Sequence, residues 1–110
     1  MMKYVALLLA LTATSTFAEE NDRKVTCKMR VGLEVLADGP CWFRGIGGGS
    51  FVLLTEDKSY FAYVSVEEPG WALAFWNAEQ RANHAHTPLG YLKRDDACWK
   101  SNLAEFCAWK

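Results

Sequence analysis

The sequence lacks the features that would identify most functional classes at once. It has two histidines, three prolines and no excess of either charge: twelve Lys and Arg stand against thirteen Asp and Glu. No block of basic residues gathers anywhere, so nucleic-acid binding finds no support. No apolar run approaches the roughly 20 residues that a membrane-spanning helix needs. Internal repeats are absent, and so is a serine in a nucleophile-elbow context. The acidic pairs Glu67-Glu68 and Asp95-Asp96 are adjacent in sequence, so in extended chain they point to opposite sides and make poor catalytic partners. The thiols are few and, on the argument below, spent in bridges. The expectation is a protein that is not an enzyme and carries no cofactor.

What is present begins with an export signal. Lys3 is a short positive region, Val5 to Leu11 an apolar core, and Thr16-Phe17-Ala18 a cleavage site with small residues where a signal peptidase reads. The expected division is 1–18 signal peptide and 19–110 one mature domain, free in the periplasm with no membrane span. Removing Lys3 takes the formal charge from −1 to −2. A chain this short buries a limited core, and exported domains of this size commonly add disulfides. All four cysteines, Cys27, Cys41, Cys98 and Cys107, lie in the mature part. An even count in an oxidising compartment implies two bridges. The favoured pairing is Cys27–Cys41 with Cys98–Cys107, each joining sequence neighbours across a turn signal. The pairing 27–107 with 41–98 stays open.

The closing stretch, 95–110, supplies a register. If Cys98 faces Cys107 in an antiparallel pair, then Trp99 faces Phe106, Lys100 faces Glu105, Ala97 faces Ala108 and Asp95 faces Lys110. That leaves Ser101 to Ala104 as a four-residue turn. An aromatic pair and two opposite-charge pairs each favour this register by roughly 0.2–1 kcal/mol.

Upstream, Glu19 to Arg23 reads as a frayed start. Lys24 to Arg30 alternates, with Val25, Cys27 and Met29 on one face. Leu33 to Leu36 is a second strand, ended by Asp38-Gly39-Pro40, and Cys41 to Phe43 resumes extended chain. Gly45 to Ser50 is a glycine-rich connector or bulge. It lacks the Lys-Ser/Thr and the following helix of a phosphate cradle. Phe51–Thr55 and Tyr60–Val66 form a hairpin around Glu56 to Ser59. In Trp71 to Trp76, Trp71, Leu73 and Phe75 form a bulky face expected to be core, against Ala72 and Ala74. A helical turn is expected over 78–83, and Leu89 to Arg94 is a further strand. The fold class is all-β: a small antiparallel barrel or sandwich of about seven to eight strands with two disulfides.

The local chemistry is thin. His84 and His86, two apart in extended chain, point the same way and could present two imidazoles to zinc or copper. Two ligands do not complete a site, and the simpler reading gives the pair a structural or partner-contact role. The mature chain is rich in aromatics, and Trp42, Trp76, Trp99 and Trp109 are candidates for an exposed platform, used against sugar rings or a protein partner.

Two resemblances add to this. Tyr60 to Val66, Trp76-Asn77, His84-Ala85-His86, Leu89-Gly90, Arg94-Asp95, Ala97-Cys98-Trp99 and Cys107-Ala108-Trp109 resemble a family of small exported alpha-proteobacterial proteins over about 27–109. The resemblance implies a periplasmic home and carries no activity. More loosely, the chain is similar to the periplasmic inhibitors of c-type lysozyme, small disulfide-tightened β-barrels with a Ser-Gly-x-x-Tyr-type loop. Ser59-Tyr60 matches that motif in part, without its glycine. The expected binding residues are Tyr60, Trp76, Asn77, His84, His86 and Arg94. The expected function is binding of a periplasmic protein, as inhibitor or immunity partner of a cell-wall hydrolase such as lysozyme. The alternatives are a glycan- or metal-binding module and a structural envelope component. The residues leave the partner and the oligomeric state open.

Overall fold

The computed structural model describes residues 21–110; the expected signal peptide lies outside them. Eight strands follow one another: β1 (Arg23–Val31), β2 (Glu34–Gly47), β3 (Ser50–Thr55), β4 (Phe61–Glu68), β5 (Trp71–Trp76), β6 (Thr87–Asp95), β7 (Cys98–Lys100) and β8 (Ala104–Trp109). Each pairs antiparallel with the next, and β8 returns to β1, closing an up-and-down barrel. Closure leaves no free first or last strand, which disposes of most of the exposed-edge problem of a small sheet.

The closing hairpin has the expected register. Cys98 faces Cys107, Trp99 faces Phe106, and Lys100 faces Glu105. The Ser101 N–H donates to the Ala104 carbonyl at 2.8 Å, and Ser101 Oγ accepts from the Leu103 and Ala104 N–H groups. Both favoured disulfides form, Cys98–Cys107 within this hairpin and Cys27–Cys41 between β1 and β2. The expected Asp95–Lys110 pair is replaced: Lys100 Nζ sits 3.1 Å from Asp95, because β7 and not β8 is the neighbour of β6.

Four expectations are corrected. Asp38-Gly39-Pro40 does not end a strand. β2 runs through it, because Pro40 pairs with Thr26 on one side and β3 stops opposite Cys41 on the other, so no ladder bond is asked of the proline. The segment 78–83 is not helical, since Ala78 and Arg81 take left-handed backbone (φ 64° and 66°) that interrupts a right-handed helix. The start is not frayed at Asp22, whose carboxylate takes Arg44 Nε at 2.6 Å and Lys58 Nζ at 3.1 Å. The paired Arg44 guanidinium, foremost, holds that carboxyl below the usual range.

The fourth correction concerns which side of β5 is core. Ala72 and Ala74 point inward and are fully buried, while Trp71, Leu73 and Phe75 point outward. The barrel gives the reason. An eight-stranded barrel has an interior just wide enough for side chains to fill. Phe106, Met29, Leu53 and Leu92 occupy it as its largest fully buried groups. β4 and β5 lie four strands around from β8 and β1, so small inward residues on β4 and β5 leave room for Phe106 and Met29. The bulk of β5 is thereby turned outward.

Between β2 and β3, the register shifts at Gly45–Gly47, and Gly47, Gly48 and Gly49 all have positive φ (100°, 63° and 84°). Side-chain-bearing residues resist that run of conformations, which explains three glycines in succession as turn geometry.

Candidate functional site

The expected binding residues separate into two groups at opposite ends of the barrel. Tyr60, Trp76 and Asn77 meet where the β3–β4 turn touches the 77–86 loop. Tyr60 and Trp76 stack with centroids 5.9 Å apart. Asn77 is buried and wholly engaged: Oδ1 accepts from the Phe61 N–H, and Nδ2 donates to the carbonyls of Ser59, Glu79 and Ala82. It organises the loop and has nothing left to offer a ligand. His84 and His86 follow in the same loop, both exposed, rings parallel with centroids 5.0 Å apart. They do point the same way. Among the described residues, no third ligand joins them within metal-binding distance. Among the described residues, the one grouping of three such ligands, Cys98, Glu105 and Cys107, has its two sulfurs committed to a disulfide. Arg94 lies at the other end, its Nε donating to the Asp96 carbonyl at 3.0 Å.

The tryptophans also sort differently from expectation. Trp99 is buried in the core, Trp42 and Trp76 are half-buried, and Trp109 is exposed. The fifth, Trp71, which the size alternation of β5 had placed in the core, stands outside at 42% exposure. It does not stand alone. On the outer surface of β4, β5 and β6, three register rows run side by side. Tyr63 faces Phe75, which faces Pro88; Ser65 faces Leu73, which faces Tyr91; Glu68 faces Trp71, which faces Lys93. Tyr63 is 41% and Tyr91 60% exposed, with Leu73 and Phe75 half-buried between them. Beyond Tyr63, Val52 and Leu54 of β3 point away from the core face but are buried, so the exposed patch ends at Tyr63. Five large apolar or aromatic side chains on adjacent strands make this a continuous patch, where scattered single exposures would be ordinary.

The signal for this patch was present in the sequence. Phe61-Ala62-Tyr63-Val64 and Trp71 to Phe75 alternate large with small, and period two alone does not say which set faces inward. Only the filling of the interior by Phe106, Met29 and Leu92 decides it.

Of the other exposed aliphatics, Leu33, Val35 and Leu103 cluster where the β1–β2 and β7–β8 turns meet, the Gly32 N–H donating to the Leu103 carbonyl at 2.6 Å, and Ile46 stands apart near the β2–β3 turn. The outer side of β1 is of another kind: Lys24, Thr26, Lys28 and Arg30 face out along its length. Along β1, apolar inside and charged outside is the reverse of the alternation in membrane-embedded barrels. No described helix is long and apolar enough to cross a membrane.

Comparisons with protein-family models, with curated proteins and with solved structures return no match.

Proposed function

We propose that the protein is an exported binding module that docks another protein on the outer face of β4, β5 and β6. One observation carries the reading: Trp71, Tyr63 and Tyr91 are each two-fifths or more exposed on adjacent strands, with Leu73 and Phe75 filling between them. Trp and Tyr are the residues that most often anchor protein interfaces. The barrel interior is occupied by its own side chains, which favours a surface over an enclosed ligand cavity. Two disulfides brace two of the eight neighbouring strand pairs of the closed barrel, β1–β2 and β7–β8, and a cross-braced barrel loses little entropy on docking. The compartment and the resemblance to lysozyme inhibitors make a cell-wall hydrolase the first partner to test.

The experiment measures binding and inhibition of c-type lysozyme and of a peptidoglycan amidase by the oxidised mature protein and by its Trp71→Ala/Tyr91→Ala variant. The expected result is inhibition that weakens at least 30-fold in the variant, about 2 kcal/mol, the threshold for an interface hot spot. Equal inhibition by both proteins, or none by either, overturns the reading. A concentration-dependent dimer that the same variant abolishes assigns the face to a second copy of the chain instead.

A further inference from the structure

The mouth of the barrel between the β2–β3, β4–β5 and β6–β7 turns holds an arrangement that the docking face does not use. Arg94 lies two residues beyond the buried Leu92 on β6 and is paired with Trp99, so it belongs to the inward-facing set. An arginine there is out of keeping with the apolar side chains below it. Its guanidinium lies over the Trp99 ring, 5.6 Å from the centroid. A second guanidinium, that of Arg23, lies over the Phe43 ring at 5.2 Å. Phe43 stacks on Phe51 with centroids 5.2 Å apart. Phe43, Phe51, Trp99 and Arg94 line one open cavity of about 270 Å³, with Gly49 on its lip. That cavity shares Arg94, Trp99 and Gly49 with a neighbouring depression of about 520 Å³.

Among the described residues, neither Arg23 nor Arg94 has a carboxylate within ion-pair distance. Asp22, next in the chain to Arg23, is taken by Arg44 and Lys58. Arg94 gives only its Nε to the protein, to the Asp96 carbonyl. Arg94, a planar cation over an aromatic floor with donors to spare, forms an anion site with an apolar base, and Arg23 adds positive charge over the Phe43 ring outside the cavity lining. The rim carries Glu67 and Glu68, and Glu67 is turned aside onto Ser65 Oγ at 3.0 Å. These two acids repel a dianion about twice as strongly as a monoanion.

We propose that this mouth binds a small monocarboxylate bearing an aromatic or branched apolar group. The carboxylate sits on Arg94, and the apolar group rests against the Phe43, Phe51 and Trp99 rings. A free C-terminus ending in a bulky residue has this chemistry, and so does a small aromatic acid.

The test titrates the oxidised mature protein, labelled with ¹⁵N, with N-acetyl-phenylalanine and with its neutral carboxamide. The expected result is saturable shifts at Gly49, Arg94 and the Trp99 indole, with a dissociation constant on the order of 1 mM, as suits a fragment of this size. The carboxamide binds at least tenfold more weakly. Arg94→Gln loses at least tenfold, and Arg94→Lys, which keeps the charge but not the fork, falls between. An N-acetyl-glycine arm, with the carboxylate but no ring, separates anion binding from the apolar contribution and is expected to be several-fold weaker. The proposal is overturned if the mouth resonances do not move, if acid and carboxamide bind alike, or if inorganic phosphate binds as tightly as the acid. The acid–carboxamide comparison uses the unaltered protein, so it decides the matter even if an Arg94 variant fails to fold.

Discussion

The two sides of the barrel wall share one interior and differ completely outside. On β1 the outward residues are Lys24, Thr26, Lys28 and Arg30, and Glu105 of β8 meets Lys28 at 3.5 Å and Arg30 at 3.7 Å. On β4 to β6 the outward residues are Tyr63, Trp71, Leu73, Phe75 and Tyr91. Closing the barrel asks only that the inward set be apolar and of the right volume. It places no demand on the outward set beyond strand propensity and solubility. Charge satisfies that demand on β1. The aromatics of β4 to β6 exceed it, and a chain spends exposed aromatic surface where it meets something else.

The comparison can be broken from inside. Ala74→Leu adds three carbons to the small side of the core, where Phe106 and Met29 already fill the space. The expected loss is about 1–3 kcal/mol, with the strain felt first on β5 and its outward rows. Denaturant unfolding gives the magnitude, and amide exchange on β4 to β6 against β1 and β8 gives the location. An unchanged stability would mean the interior has slack, and would remove the reason given for the outward turn of Trp71.

A milder test addresses the charged side. Glu105→Gln removes the carboxylate shared by Lys28 and Arg30 and faced by Lys100. Pairs at a surface of this kind contribute at most about 1 kcal/mol, diminishing with salt. Unfolding at low and high ionic strength should therefore show a small loss that vanishes as salt rises. A loss above about 2 kcal/mol would show that the charged side supports the fold as strongly as the core does.

Much of this architecture was legible in the residues. The 98–107 register followed from two cysteines, an aromatic pair and two charge pairs agreeing on the same alignment, of which Lys100 facing Glu105 formed and Asp95 facing Lys110 did not. The β3–β4 hairpin and the limits of β5 followed from alternation and turn chemistry. What escaped had a physical cause in each case. Period two separates the faces of Trp71 to Trp76 without naming the inner one. Pro40 reads as a stop, yet it is tolerated where β3 has already ended. Asn77 stood among the expected binding residues; its side chain instead bonds backbone, at Glu79 and Ala82 nearby and at Phe61 and Ser59 across the fold, and the latter two are long-range contacts that no spacing encodes.

The smallest expected effect concerns the turn that supports the aromatic side from below. Asp57 Oδ1 accepts from Ser59 Oγ at 2.7 Å, from the Ser59 N–H at 3.0 Å and from Thr55 Oγ1 at 3.0 Å. These bonds, the Ser59 hydroxyl first, favour the charged carboxylate and pull its pKa from the ordinary 3.8 down to about 2. A depressed pKa means the unfolded chain binds the proton more readily than the folded one. The contribution is therefore whole above the ordinary value and is lost as pH falls through about 2. The Ser59 carbonyl in this turn accepts from the Arg81 N–H at 2.7 Å and from Asn77 Nδ2 at 3.0 Å, so the turn also seats the 77–86 loop against β4 and β5. On acidification, the Ser59 amide resonance should titrate with a midpoint near 2, and the Arg81 amide should lose protection in the same range. In Asp57→Asn, both responses should disappear. The charged side, whose lysines and Glu105 meet through single exposed or half-exposed contacts, should show no such coupled pair of amides. A Ser59 midpoint at the ordinary carboxylate value would show that the three bonds do not hold the charge in solution, and the loop would then owe its seat to Asn77 alone.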